Sequence, residues 1–198
     1  MSNGRRHFLV AGSILPAAFM INPAPAAACG ESSAADIGFC QDMGVHHLQA
    51  LAMCQRVLGR DTGGSVQAAA AEVLQNQAME VGQMRAWLAD WGASTVPPKT
   101  VMGWMGANQG AGMPIAMMPG YASDEQMVEL SLLEGRARGR HWLELMRAHH
   151  VGGVMMASQA LDLASSEKVI RLAGFQVKAQ SFEISQYDIL LAGAYATD

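Results

Sequence analysis

Cysteine is scarce: there are three in 198 residues. Cys29, Cys40 and Cys54 cannot make a disulfide framework. If Cys40 and Cys54 lie on one helix, about 21 Å separates them at 1.5 Å per residue, far beyond bridging distance. A Cys29 to Cys40 bond is the pairing that spacing leaves open, and Cys54 beside Met53 is either a small core residue or a soft ligand. Basic charge is short as well, 13 Lys and Arg against 17 Asp and Glu, so the chain lacks the basic face that a nucleic-acid partner needs. The longest apolar run, from Phe8 to Ile21, is too short to span a membrane. No Glu has a His three residues later, which weakens a di-iron ferroxidase or oxygenase reading. There is no Gly-rich phosphate loop or nucleophile elbow, and the serines have no identifiable triad partner. A non-enzymatic role is therefore expected. With 51% hydrophobic and 15% charged residues, the chain can bury a substantial core and is globular.

What is present begins with an address. Residues 1 to 28 carry Arg5 and Arg6, then Phe8 and Leu9, an apolar run to Ile21, and small residues Ala26 to Ala28. This resembles a twin-arginine export signal, so a single mature domain, 29–198, is expected in the periplasm or otherwise outside the cytoplasm. Cleavage after Ala28 would leave Cys29 first and open to a lipid anchor, although Ala26 is a poor residue three places before a lipidated cysteine. Loss of Arg5 and Arg6 takes the basic count from 13 to 11 against 17 acids, a net charge of −6.

The chain then repeats itself. Shifting the sequence by 103 places His46 on His149 and His47 on His150. The same shift places Met43 on Met146, Met53 on Met156, and Leu58 on Leu161. Further on, Gln77 falls on Gln180, Glu80 on Glu183, Gln83 on Gln186, and Leu88 on Leu191. Most shared positions are polar or sulfur-bearing, which a generic apolar helical pattern would not produce, so the chain reads as a duplicated unit spanning about 36–92 and 139–195. Periodicity is helical throughout, with almost no strand signal. The spacing predicts helices from Asp36 to Leu58, from a Ser65 cap to Trp91, from a Ser123/Gln126 capping box to Ala164 with kinks at Gly135 or Gly139, and from Ser165 or Ser166 to Ala192. A Met-, Gly- and Pro-rich connection covers about 92–122. The fold class is all-α: a four-helix bundle of two helical hairpins joined by one long crossover.

On the first helix Met43, His46, His47, Ala50, Met53 and Cys54 share one arc, so the histidines sit on the buried stripe. Ala50 and its counterpart Gly153 leave room beside the imidazoles. On the partner helix Val73, Gln77, Glu80, Val81, Met84 and Leu88 share a face, as do Val177, Gln180, Glu183, Ile184, Tyr187 and Leu191 in the second unit. An ionised glutamate on a packing face is costly unless paired, and a histidine across the interface is its natural partner. The candidate metal ligands are thus His46, His47, His149 and His150 first, then Met43, Met53, Met146 and Met156. Glu80 and Glu183 are ligands or acceptors that orient an imidazole, and Gln77 and Gln180 complete the set. Imidazole with thioether suits copper, as Cu(I) or Cu(II). Of 15 methionines, Met102, Met105, Met113, Met117 and Met118 lie in the connection, either as a soft-ligand loop that captures metal or as a hydrophobic flap. Ligating histidines must be neutral, so affinity is expected to weaken below about pH 6.

The stretches FCQDMGVHH, QNQAMEVGQMRAWL, MPGYASDEQM, LELMRAHH and QSFEISQY together resemble the successive motifs of the domain of unknown function 305 family, over nearly all of residues 36 to 192. The resemblance implies an exported, ferritin-like helical protein, with copper binding or metal tolerance for some members and no established enzymatic activity. This chain departs from the family pattern at Gly139, which stands where the first unit has Asp36, at Tyr121 in place of a methionine, and at Gly44 and Arg147 in place of apolar residues. The expected function is copper binding, with buffering or delivery of the ion to a copper-handling partner protein. The alternatives are a metal-free helical scaffold or interaction module and, behind it, a ferritin-like redox enzyme.

Overall fold

The computed structural model describes residues 32–106 and 110–197; the expected export signal, Cys29 and its lipid anchor lie outside the described residues. The chain is mostly helical. Helix α1 spans Ala34–Val57 and α2 spans Gly64–Asp90, followed by two-residue strands β1 (Thr100–Val101) and β2 (Met113–Pro114), which pair antiparallel, and a 3-10 turn, Ile115–Met117. Helices α3 (Asp124–Leu132), α4 (Gly135–Leu163) and α5 (Glu167–Ala192) complete the chain. Helix α1 packs on α2 and on α4, and α4 packs on α5. The two hairpins thus join along α1 and α4, with α1 antiparallel to α4: Asp36 near the start of α1 meets Ser165 just after α4, while His46 meets His149 in mid-helix. No described helix is long and apolar enough to cross a membrane.

The helix ends explain themselves locally. Ser33 caps α1 by accepting from the Asp36 N–H at 3.1 Å, and Asp36 Oδ2 accepts from the Ser33 N–H at 2.7 Å, a reciprocal box. Asp36 also accepts from the Ser165 hydroxyl at 2.8 Å and the Ser166 N–H at 3.0 Å, tying the start of α1 to the α4–α5 turn. Burial pushes this carboxyl up, but the hydrogen bonds from Ser33, Ser166 and Ser165 outweigh it and hold its pKa below the usual value. Ser123 caps α3 with Gln126 as expected.

Three expectations need correction. The cap of α2 is Gly63, not Ser65, and makes no side-chain bond; Ser65 lies inside the helix. The expected long third helix is two helices, because Leu133 and Glu134 are extended and Gly135 is left-handed at φ 51°, which interrupts the hydrogen-bond ladder rather than kinking it. Ser166 is the N-cap of α5, but its side chain makes no capping bond; the Ser165 hydroxyl is spent on Asp36.

The 92–122 connection is fastened as a cover. Gln41 donates to the Ser94 carbonyl. Asp42 accepts from the Met102 N–H at 2.5 Å and the Trp104 indole N–H at 2.8 Å. The Gln49 amide both donates to the Ala122 carbonyl and accepts from its N–H, each at 2.7 Å. Met102, Met105 and Met118 are buried in the core, while Met117 stands 69% exposed, so three of the five connection methionines serve as a hydrophobic flap. Cys40 and Cys54 are buried free thiols whose pKa values burial pushes up to about 12.

Candidate metal centre

A layer of four imidazoles crosses the middle of the molecule. His46, His47, His149 and His150 are each wholly buried. The α1 and α4 axes bring His46 and His149 into a stack with centroids 3.6 Å apart and planes 26° apart. The outer histidines turn to the flanking helices. His47 Nε2 lies 2.7 Å from Glu80 Oε2 on α2, and His150 Nε2 lies 2.7 Å from Glu183 Oε2 on α5. The two halves therefore hold the same pair at the same separation, 33 residues apart in sequence in each.

The hydrogen bonds fix which nitrogen is free. A carboxylate can only accept, so His47 and His150 carry the proton on Nε2; His149 Nε2 donates to the His46 carbonyl at 2.9 Å. In His149, which burial keeps neutral, Nδ1 is then an unprotonated lone-pair nitrogen. The Nδ1 atoms of His47, His149 and His150, and both ring nitrogens of His46, are buried without a hydrogen-bond partner. Buried polar atoms are almost always satisfied, so unpartnered nitrogens on four imidazoles in one layer, one lone pair at most from the neutral His46, call for a ligand. Burial drives the pKa of His46 well below its usual value, reinforced by His47 and His150 and only partly opposed by the nearby Pro119 carbonyl, and does the same to His149, reinforced by His46, His150 and His47 and only partly opposed by the His46 carbonyl. Both rings are neutral at pH 7 and remain so more acid than the ordinary histidine range, so proton competition at these two begins lower than the expected threshold near pH 6.

The thioethers flank this layer on both sides. Met43 and Met156 share one core cluster, and Met53 and Met146 share the other with Cys54, Trp142 and Tyr187; all four methionines are fully buried. Gln77 and Gln180 are buried as well, and the amide oxygen of each lacks a partner. The room expected beside the imidazoles at Gly153 is taken by the Gln180 amide, whose Cδ lies 3.1 Å from where a Cβ would stand. Glu80 and Glu183, bound to ring N–H groups, act here as acceptors. Among the described residues no group of three or more His, Cys, Asp or Glu side chains stands ready to hold a metal ion; the donors share a layer without surrounding one point.

Two contributors escape the sequence reading. Gln176 on α5, 1% exposed, donates to Glu80 Oε2 at 2.6 Å and lies 3.3 Å from His47 Nε2. The helical stripe assigned to α5 placed Val177 inward instead, and the 103-residue shift hides Gln176 by setting it on apolar Val73. The second is the Met118–Gly120 corner of the connection. Gly120, at φ 75°, and Gly152 let this backbone lie directly on α4: a Cβ on Gly120 would fall 2.8 Å from the His149 Cα, and one on Gly152 would fall 2.6 Å from the Pro119 carbonyl carbon. The corner roofs the histidine layer.

A family model described as Domain of unknown function (DUF305) matches residues 36–191. Among solved structures, the chain is similar to a DUF305 protein from Streptomyces coelicolor, with 37% identity, a TM-score of 0.72 and coverage of 80% of this chain and 91% of that one. It is similar to a DUF305 fragment from Deinococcus radiodurans, with 30% identity, a TM-score of 0.69 and coverage of 81% and 97%. It shares its fold with CopM in the Cu(I)-bound form, at 21% identity, a TM-score of 0.63 and coverage of 81% and 98%. No curated protein matches the chain.

Proposed function

Because the chain belongs to the DUF305 family, we propose that it is an extracytoplasmic copper-binding protein that buffers or delivers the ion through its histidine layer rather than turning over a substrate. The observation that carries this reading is that each of His46, His47, His149 and His150 has a buried, unpartnered ring nitrogen, bounded by the fully buried thioethers of Met43, Met53, Met146 and Met156. A ligating histidine ordinarily donates its second nitrogen to an oxygen acceptor, which fixes the tautomer. Glu80, Glu183 and the His46 carbonyl supply that acceptor to three of the four rings. Neutral imidazole and thioether are soft donors, which favours copper, Cu(I) above all, over magnesium or calcium.

The fold likeness to CopM in Cu(I)-, Cu(II)- and silver-bound forms is compatible with this reading, while the donor set is its basis. The donors do not yet surround a point, so loading requires side-chain rotation within the layer, with the small Ala50 beside it. In the same reading the four long helices form a ferritin-like four-helix bundle made from two copies of one hairpin, supported by the equal His47–Glu80 and His150–Glu183 pairs. The export signal at residues 1 to 28 is the support for a periplasmic location.

The test is metal analysis of the mature protein, followed by competitive Cu(I) and Cu(II) titration of the wild type and the His46→Ala and His149→Ala variants, with thermal melts to show that each is folded. Copper should bind the wild type and be lost or weakened at least tenfold, about 1.4 kcal/mol, in both variants. A folded wild type that takes no copper would leave the His–Glu pairs as locks within each hairpin, the metal-free scaffold reading.

A further inference from the structure

The histidine layer is wholly enclosed, so an ion must cross a wall to reach it, and the walls are unequal. On the α1–α4 side the Met118–Gly120 corner lies on the α4 backbone. On the opposite side α2 and α5 face each other across a groove in two connected parts, which share Asn76 and Phe175. Glu80 lines one part, of about 420 Å³, and Glu183 lines the other, of about 440 Å³. These carboxylates are the members of the His–Glu pairs that reach solvent, with side chains 13% and 19% exposed against 0% for both histidines. Either mouth thus leads, through one carboxylate, to one imidazole.

The mouths differ in chemistry. Beside Glu80 stands Met79, 66% exposed, its thioether open to the groove. The corresponding place beside Glu183 is Phe182, 64% exposed, with Ile189 and the Tyr187 ring completing an apolar wall. Behind Glu80 lies Gln176, buried, with its amide nitrogen on Glu80 and its amide oxygen unpartnered; behind that is the free Nδ1 of His47. Exposure falls steadily from the Met79 thioether through the Glu80 carboxylate to the Gln176 amide and the His47 imidazole, and the last three are in mutual hydrogen-bond contact, with Glu80 Oε2 2.7 Å from His47 Nε2 and the Gln176 amide nitrogen 2.6 Å from Glu80 Oε2. An exposed methionine in water gains nothing from packing, whereas a thioether holds a soft cation without tying up a proton.

Resting on the copper reading above, the geometry points to the Met79–Glu80 groove as the port by which Cu(I) enters: Met79 takes the ion first, and Glu80 passes it inward by releasing the His47 Nε2–H and the Gln176 amide. The groove at Glu183, which has Phe182 in the place of Met79, is not a port. No covalent or redox step is involved, and the ion remains Cu(I).

The experiment offers Cu(I) as its bicinchoninate complex to the full mature protein and follows transfer by stopped-flow, with equilibrium titration and thermal melts in parallel. Met79→Leu keeps the size and apolarity of an exposed side chain, so folding is unchanged. It should slow loading by about tenfold while leaving stoichiometry and final affinity at wild-type values. Phe182→Leu should load at the wild-type rate. If the wild type loads and Met79→Leu loads equally fast, or if Phe182→Leu is slowed as much, the port is refuted while the copper reading stands. A wild type that takes no Cu(I) removes both.

Discussion

Gly152 offers a direct test of the roof over the histidine layer. Inside an exposed helix a Gly→Ala change stabilises by about 0.5–1 kcal/mol, because alanine loses less backbone entropy on folding. Gly44 in α1 and Gly82 in α2 are in that position: an added Cβ at either meets nothing within 4 Å. At Gly152 the new methyl would fall on the Pro119 carbonyl, 2.6 Å from its carbon and 3.3 Å from the Gly120 nitrogen. These are backbone atoms and cannot rotate away. The corner that holds them is pinned on both sides, by Met118 at 2% exposure and by Ala122, whose backbone is clipped to Gln49. Overpacking of this kind costs about 1–3 kcal/mol, here toward the upper end, leaving a net loss of about 2 kcal/mol after the helical gain. For a domain of this size 1 kcal/mol moves Tm by about 2–4 °C. Melts of the metal-free protein followed by circular dichroism should show Gly44→Ala and Gly82→Ala about 1–4 °C above wild type and Gly152→Ala about 4–8 °C below. A Gly152→Ala protein as stable as the wild type would mean that the corner does not rest on α4.

Two further outcomes follow from the polar contacts. Burial pushes the Asp42 carboxyl up to about 6, against hydrogen bonds from Met102 and Trp104. A folded-state pKa above the unfolded 3.8 gives stability that is fully present below about pH 4 and lost as pH rises through 6, worth ~3 kcal/mol. Asp42→Asn keeps the acceptor oxygen and cannot ionise, so it should match wild type at pH 4 and exceed it by up to about 3 kcal/mol at pH 7.5; parallel stability curves in denaturant titrations would contradict this. Replacing Glu80 by Ala strands two buried donors, His47 Nε2–H and the Gln176 amide, whereas Glu183→Ala strands only His150 Nε2–H. At about 1–3 kcal/mol per stranded group, Glu80→Ala should be the less stable variant by urea unfolding, and both should lose about 10–100-fold in copper affinity through the freed imidazole.

The helices and the His–Glu pairs were legible because they repeat: a buried stripe of period 3.6 and a polar residue on a packing face are local signals, and the 103-residue shift aligned the two sets. What was not legible is whatever the halves do differently. Asp36 in the first half binds the α4–α5 turn through Ser165 and Ser166, while its counterpart Gly139 has no side chain and packs under the α1–α2 turn, where a Cβ would fall 2.7 Å from the Thr62 carbonyl oxygen. The same place in each hairpin is thus held by an acceptor in one case and by close backbone approach in the other. Gln176 opposite Val73 adds a donor to Glu80 that Glu183 lacks, and Met79 opposite Phe182 puts sulfur at one groove and an aromatic ring at the other. The crossover was illegible for a separate reason: Asp42, Gln41 and Gln49 fasten it through backbone groups of Met102, Ser94 and Ala122, and a backbone partner leaves no residue type to recognise. Similarity between the halves therefore locates the histidine layer, and asymmetry between them sets what stands at each groove leading to it. Under the proposed copper function, two equal mouths would exchange the ion from either side, whereas one thioether mouth latched by Gln176 would give uptake and release a single path.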